Sequence, residues 1–488
     1  MIIFNQGKYR SLHTAQPNEL TQLAAQVAQD IHHRPQYHLA PPTGLLNDPN
    51  GLIFDGHHYH IFYQWFPFGA LHGMKHWRHY RTKDFQHFEL ADCLIPDELF
   101  ESHGCYSGGA INYQDKIVVF YTGNTRRESD NQRIPFQNIA IFDRNGTLLE
   151  KRPLLTNAPQ GYTEHCRDPK PFVTENGKIR FVLGAQRENL SGTALLFEMD
   201  SLQETPHLLG ELTLSPFNNQ HIFMWECPDL TKLSGKDIFI WSPQGKKRET
   251  YQFQNNYHAT YAVGQLQELN FNVEHFAELD QGFDFYAPQT FSGLNNTDET
   301  IMYAWCGLPD LQYPTDRYQW HSMLTLPRKL WLEGTTIYQY PIEQVQQNIQ
   351  QCQQYTITDQ LEYPNLTQSY LHFAVKQQPF CLHLFSNEKQ QQITLSYQNG
   401  IFCLDRSQTE QTESMRQFGQ QRYCKIEQLE EIDIFIDHSI IEIFFNRGEK
   451  AMTSRFFIEN KQNIIIVEQP MTVTIGSVLP IHFDKDML

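Results

Sequence analysis

Five stretches of this chain share one form. They begin NDPNGLIFDG at Asn47, YSGGAINYQD at Tyr106, RDPKPFVTEN at Arg167, WECPDLTKLS at Trp225 and YAPQTFSGLN at Tyr286. Each opens on a short polar turn and has an apolar residue in sixth place: Leu52, Ile111, Phe172, Leu230 and Phe291. A second turn follows, then a strongly apolar strand. The second places are Asp48, Ser107, Asp168, Glu226 and Ala287, spaced 58 to 61 residues apart. Further strand-like pairs, such as HWRHYRTKDFQHFEL, lie between the copies. One hairpin repeated at this period, with four strands per unit, predicts the blades of a β-propeller, longer than the ~40–50 residues of familiar repeats. Five copies predict five blades.

The rest of the chain divides around that repeat. Asn18 to Ile31 carries Leu20, Leu23, Ala24, Val27 and Ile31 at helical spacing, with Asn18 as its expected cap and Arg34-Pro35 beyond it. Residues 1–34 are therefore read as a helical preamble and 35–338 as the propeller. The Gln-rich stretch 339–354 reads as a connector, with a helix as one reading of it. Residues 355–488 alternate in the manner of strands. In IDIFIDHSIIEIFFN, Ile432, Ile434 and Ile436 face one way, Asp433, Phe435 and Asp437 face the other, and His438-Ser439 forms the turn. Such an all-β tail predicts a β-sandwich.

Composition narrows the function. A net charge of −17 argues against nucleic acid and anionic membranes as partners. No apolar run reaches the roughly 18 residues of a membrane span. The first ten residues show no basic stretch followed by an apolar one, so a cytoplasmic location is expected. The nine cysteines are odd in number, scattered and without a CxxC pair, which fits reduced thiols better than disulfides or zinc. His57, His58 and His60 lack a nearby carboxylate or Cys to complete a ligand set and read as exposed hairpin residues, so no metal is expected. Oligomeric state has no signature in the sequence.

In a propeller the first strand of each blade lines the central channel. The repeat therefore brings Asp48, Asp168 and Glu226 to one rim. Converging carboxylates repel one another and are costly to desolvate, so three of them point to chemistry. They suit either a divalent cation or glycosidic cleavage. Nearby Trp77, Tyr106, Tyr286, Asn47, Gln64 and Ser107 supply aromatic faces, amides and a hydroxyl, which fit a polyol better than a bare ion. Glu226 has the longer reach and lies between Trp225 and Cys227, which suits an acid/base. Asp48, short and rigid before Pro49, suits a nucleophile. Asp168 beside Arg167 is expected to stay ionised and to bind sugar hydroxyls. Chemistry alone leaves an exchange of these roles open.

The stretches LLNDPNG, CRDPKPF and WECPDL, in this order, resemble the nucleophile, transition-state and acid/base motifs of glycoside hydrolase family 32. YSGGA, FDFYAPQTF and DHSIIEIFFN add to the likeness, which covers nearly the whole chain. It implies a five-bladed propeller with a C-terminal sandwich, and retaining hydrolysis of a β-D-fructofuranoside without metal or organic cofactor. Asp48 is then the nucleophile, Glu226 the acid/base and Asp168 the transition-state stabiliser. Two positions depart from the family pattern, both expected beside the pocket: its aromatic is Leu46 or Leu45 here, expected to contact the sugar, and a serine is Gly109.

The stretches RPQYHLAPPTGLLNDPNG, ALHGMKHW and GLPDLQYPTDRYQWHSMLTLPR are most similar to the bacterial members of that family acting on sucrose 6-phosphate. Sucrose 6-phosphate or sucrose is thus the implied substrate, and Lys75, Arg78 and Arg317 are candidate phosphate contacts. Fructan hydrolysis, fructosyl transfer on the same scaffold and a non-catalytic sugar-binding propeller are the alternatives.

Overall fold

The computed structural model describes residues 7–215 and 222–484. Five antiparallel sheets follow one another along the chain as blades of a propeller. Their innermost strands are β1 (Gly44–Phe54), β2 (Ala110–Tyr113), β3 (Tyr162–Val173), β4 (Met224–Leu233) and β5 (Tyr286–Thr290). Within each blade the chain then steps outward strand by strand. Two segments from later in the chain join the first blade. Trp320–His321, beyond the fifth blade's second strand, pairs in parallel with the start of β1. His482–Phe483 pairs in parallel with His87–Leu90 at the outer edge of the first blade.

A shared irregularity sets the inner strands apart. In β1, β3, β4 and β5 the register slips near the channel so that two residues face one on the neighbouring strand, and β1 and β3 each slip a second time elsewhere. The slips near the channel fall at Asn47-Asp48, Asp168-Pro169, Cys227-Pro228 and Ala287-Pro288. Such bulges re-aim side chains, and they tolerate proline because the ladder is already broken there. Asp168, Cys227 and Ala287 hold φ of 68°, 48° and 47° at these points. Non-glycine residues in the left-handed region are strained and concentrate at functional sites.

The expected helix exists, but as Glu19–Val27, and Asn18 makes no side-chain capping bond. The stretch 339–354, read as a connector, holds the end of strand Thr336–Pro341 in the fifth blade, a short helix Glu343–Gln347, and the start of strand Ile349–Ile357. That last strand belongs to the first of two six-stranded sheets, which close face to face as the sandwich. Ile432, Ile434 and Ile436 point into the sandwich core, and Phe435 and Phe444 join the core shared with the propeller. His438, at a φ of 57°, sits in the turn between Glu431–Asp437 and Ile440–Phe445. The exposed-histidine expectation fails at His60. It is fully buried, with Nδ1 2.9 Å from Nε2 of His79, because it lies on the core-facing side of Tyr59–Phe66.

Buried charge fastens the sandwich to the propeller. Arg328 of the fifth blade reaches Glu442 of the sandwich and Asp280, with none of the three side chains exposed. Asp437 accepts from the backbone N–H of Gln36 and of Tyr37, and bonds His38 Nδ1 at 2.8 Å. The other ring nitrogen of His38 meets Glu442 at 3.1 Å. These acids lie within or beside the DHSIIEIFFN stretch, so that motif marks a joint between sheets rather than a catalytic site.

Candidate active site

The prolines of the inner strands sort the channel-lining residues into layers. Counted from the proline that follows, Asp48, Asp168, Cys227 and Ala287 are equivalent, although the bulge of β1 begins one residue earlier, at Asn47. Glu226 lies one residue earlier, level with Asn47, Arg167 and Tyr286. Aligning Glu226 with Asp48 and Asp168 by simple spacing is therefore off by one in the fourth blade. The offset puts Glu226 in the outer layer, nearer the strand start, and the two aspartates in the layer beneath.

Side-chain contacts follow these layers. In the outer one, Arg167 Nη2 donates to Glu226 Oε1 at 2.7 Å and the Tyr286 phenol donates to Glu226 Oε2. Asn47 is bonded to Gln64, accepts from Lys75 Nζ at 2.7 Å and donates to Asp48 Oδ1 at 3.1 Å. In the inner layer, Ser107 Oγ donates to Asp48 Oδ2 at 2.6 Å and accepts from Gln64 Nε2 at 2.8 Å. The Cys227 backbone N–H donates to Asp168 Oδ2 at 3.0 Å, and its Sγ lies 3.7 Å from both Asp48 Oδ2 and Asp168 Oδ2. The three acids thus share one cluster.

A third layer closes the channel below. Lys170 Nζ donates to the Thr290 carbonyl at 2.5 Å and pairs with Asp229 at 3.1 Å. Gln289 Nε2 reaches the Gly108 carbonyl at 2.9 Å. Gly108 lets the chain run close against the second strand of its own blade, since a Cβ there would stand 1.8 Å from the Phe120 carbonyl oxygen. At Gly109, the departure from the family pattern, a Cβ would stand 2.8 Å from the Lys170 side chain. The cluster is therefore the end of a blind pocket.

Electrostatics separate the acids. Burial raises Asp48, opposed by the bonds from Ser107 and Asn47 and by the Lys75 charge. Burial drives Asp168 up to about 7, against the pull of Arg167 and the Cys227 N–H, and both other carboxylates add to the rise. Arg167, expected to keep Asp168 ionised, opposes this rise without cancelling it. Arg167 gives its hydrogen bond to Glu226, and its Nε stands 3.9 Å from Asp168. Lys75 falls to about 7 through burial, although Asp48 supports its charge.

Other expected site residues fare unevenly. Asn47, Gln64, Ser107, Arg167 and Tyr286 belong to the cluster, and Tyr106 precedes Ser107 at its edge. Leu45, Leu46 and Trp77 are 1%, 0% and 0% exposed and lie within packed hydrophobic clusters. Trp77 serves indirectly, through an indole N–H 3.2 Å from the Tyr106 carbonyl oxygen. Of the proposed phosphate contacts, Lys75 sits inside the cluster, bound to Asn47 and 3.1 Å from His72. Arg78 is buried against the Trp65 and Tyr80 rings, so it does not reach the pocket mouth. Arg317 is held by Glu410 and Glu459 of the sandwich. Spacing alone did not reveal Cys227, whose role follows from its bulge and its proline.

A five-bladed propeller with acids from three blades in one blind pocket defines a glycosidase-type site. Family models for glycosyl hydrolases family 32 match residues 38–341 (N-terminal domain) and 337–478 (C terminal). The chain belongs to this family. The sucrose-6-phosphate hydrolase of Bacillus subtilis (strain 168) is 37% identical over 88% of this chain and 90% of its own. That of Vibrio alginolyticus is 36% identical over 94% and 93%. The solved sucrose-6-phosphate hydrolase of Lactobacillus gasseri superposes with a TM-score of 0.89 at 31% identity, covering 98% of this chain and 99% of its own. A Bombyx mori GH32 β-fructofuranosidase gives 0.82 at 27%, over 97% and 100%.

Proposed function

We propose that this protein hydrolyses the β-D-fructofuranosyl bond of sucrose 6-phosphate, and of sucrose, with retention of configuration. The observation that carries the reading is the layered placement of Asp48 and Glu226 in one pocket with different partners. Asp48 sits in the inner layer, fixed by Ser107 and Asn47, as a nucleophile must be. Glu226 lies in the outer layer with its side chain 17% exposed, where it reaches a departing oxygen and exchanges protons with water.

The chemistry then runs in two steps. Asp48 attacks the anomeric carbon of the fructosyl unit, the bond to the glucosyl oxygen breaks, and Glu226 gives that oxygen its proton. Glu226 next takes a proton from water, whose oxygen attacks the same carbon and frees Asp48. Fructose and glucose 6-phosphate leave. Asp168 lies beside Asp48 in the inner layer, and in its ionised form it holds sugar hydroxyls and offsets the positive charge that develops in the transition state. The relatives called sucrose-6-phosphate hydrolase support the phosphorylated substrate. All nine cysteines are unpaired, and among the described residues no helix is long and apolar enough to cross a membrane. The free thiols support a reducing compartment, the cytoplasm.

Purified Asp48→Asn and Glu226→Gln test these roles by glucose release from sucrose. Both are expected to fold normally and to lose about 10²–10⁴-fold or more in kcat. Glu226→Gln is expected to recover most with a fructoside whose leaving group needs no proton. Retained turnover in either variant overturns the role given to that residue.

A further inference from the structure

Several cations on the pocket face are already matched to acids. Arg167 is bound to Glu226, Arg187 to Glu211, and Arg317 to Glu410 and Glu459. Arg133 is different. It starts the second blade's third strand, Arg133–Phe142, directly across from Arg126. Its guanidinium carbon stands 5.7 Å from the centre of the Tyr106 ring. Its Nε is shielded from solvent with no hydrogen-bond partner, and among the described residues no carboxylate comes within ion-pair distance of it. Arg126 donates Nη1 to the Asn131 carbonyl at 3.0 Å and also keeps a buried, unbonded Nε.

The surroundings carry excess positive charge. Arg133 is acted on by Arg167 and Arg126, with the Tyr106 phenol and Glu164 on the other side of the balance. His165 Nδ1 lies 3.1 Å from Arg167, and its ring is kept neutral by burial and by the charges of Arg167 and Arg133. Partly desolvated guanidinium groups that lack an anion are unfavourable for the fold, which marks the place as one that receives an anion. The planar fork of arginine matches a phosphate in two-point contact.

Position agrees with charge. The inner strand of each blade runs away from the acid cluster, the second strand returns, and the third departs again. The turn from Arg126 to Arg133 therefore emerges on the pocket face. Tyr106, beneath Arg133, immediately precedes Ser107, which holds Asp48. On the other side lies Arg167, which holds Glu226, the donor to the leaving glucosyl oxygen.

We infer that Arg133, with Arg126 beside it, binds the phosphate on the leaving glucosyl unit and thereby sets the preference for the phosphorylated disaccharide. The inference rests on the substrate reading above. It concerns a phosphomonoester dianion bound at the rim, apart from the reacting atoms.

The test compares kcat/KM for sucrose 6-phosphate and sucrose in the full-length protein and in Arg133→Gln and Arg133→Lys. The ratio is expected to fall about tenfold or more in Arg133→Gln, chiefly through KM for the phosphorylated sugar, as befits loss of one charge-assisted hydrogen bond. Arg133→Lys is expected to recover part of it. Inorganic phosphate, as a competitor of sucrose cleavage, is expected to weaken in parallel. A ratio unchanged in Arg133→Gln, or two substrates that lose equally, overturns the inference. If the unmodified protein cleaves sucrose with no preference for its phosphate ester, the substrate reading falls, and this inference falls with it.

Discussion

Cys227, and not Glu226, is the fourth-blade counterpart of Asp168. Each precedes a proline, each holds a positive φ, and the Cys227 N–H donates to the Asp168 carboxylate at 3.0 Å. The one-residue offset lets a single inner strand serve two layers. It supplies a backbone donor and a small side chain to the inner layer, and a long carboxylate to the outer one. A thiol set between two carboxylates should also differ from an ordinary thiol. Burial raises Cys227 well above the usual range, and Asp168, Asp48 and Glu226 raise it further. The nucleophilic thiolate is therefore scarce at neutral pH. Treatment with iodoacetamide at pH 8 should leave sucrose cleavage intact and label exposed Cys352 first. Rapid inactivation together with modification of Cys227 would contradict this placement.

Asp168 should reduce stability in the service of catalysis. Its folded value of about 7 exceeds the usual 3.8, so the folded state holds the proton more tightly than the unfolded chain. The stabilising contribution is complete below about 4 and is lost as the pH rises through 7. Above that, the native state carries a buried charge with incomplete compensation. Asp168→Asn retains an acceptor for the Cys227 N–H without that charge. Its Tm should exceed that of the unmodified protein by about 2 °C or more at pH 8. The gap should close toward pH 4, while kcat falls sharply. Differential scanning calorimetry across this range checks it; an Asn variant less stable at pH 8 would count against the charge argument.

Lys75 should tune the nucleophile. Its Nζ binds Asn47, which in turn bonds Asp48, and its charge opposes the burial that raises Asp48. Lys75→Met removes that charge and leaves the burial. Asp48 should then hold its proton to higher pH, and the acid limb of the kcat/KM profile for sucrose should move upward. A limb that stays in place, with activity merely scaled down, would show that Lys75 acts by packing alone.

The sequence made the five inner strands legible because their turns and apolar sixth places recur at near-constant spacing. It also exposed Asp48 and Asp168, which sit at identical places in NDP and RDP. The position of Glu226 was legible only as a neighbour, since WECP carries an extra residue before its proline and counting from Trp225 hides the offset. Arg133 and Arg126 carry no motif; only the pairing of their two strands brings them together over Tyr106. The same holds for His38, whose partners Asp437 and Glu442 lie about four hundred residues away in sequence. Leu46 and Trp77 resemble pocket walls in the sequence because strand alternation cannot separate the channel from the spaces between blades, yet both are core.

That distant joint makes its own pH signature. His38 is fully buried, which works against its charge, yet the bonds to Asp437 and Glu442 raise it above the ordinary histidine value. Its contribution to stability is complete below about 6.5 and is lost as the pH rises through the raised value. Asp437 and Glu442 are buried too, but Asp437 is held low by hydrogen bonds from His38 and His438, and Glu442 by the Arg328 charge and His38. Their contribution is present above the normal carboxylate range and is lost as the pH falls through the lowered values. The joint should therefore be strongest at mildly acidic pH. His38→Gln leaves two buried carboxylates with less compensation, a defect worth about 3–5 kcal/mol where the imidazolium is intact. The loss in Tm should be largest near pH 6 and should shrink toward pH 10, where the unmodified protein has given up the same charge. Thermal unfolding at both pH values decides the point, because a deficit of equal size at each would mean that His38 contributes shape rather than charge.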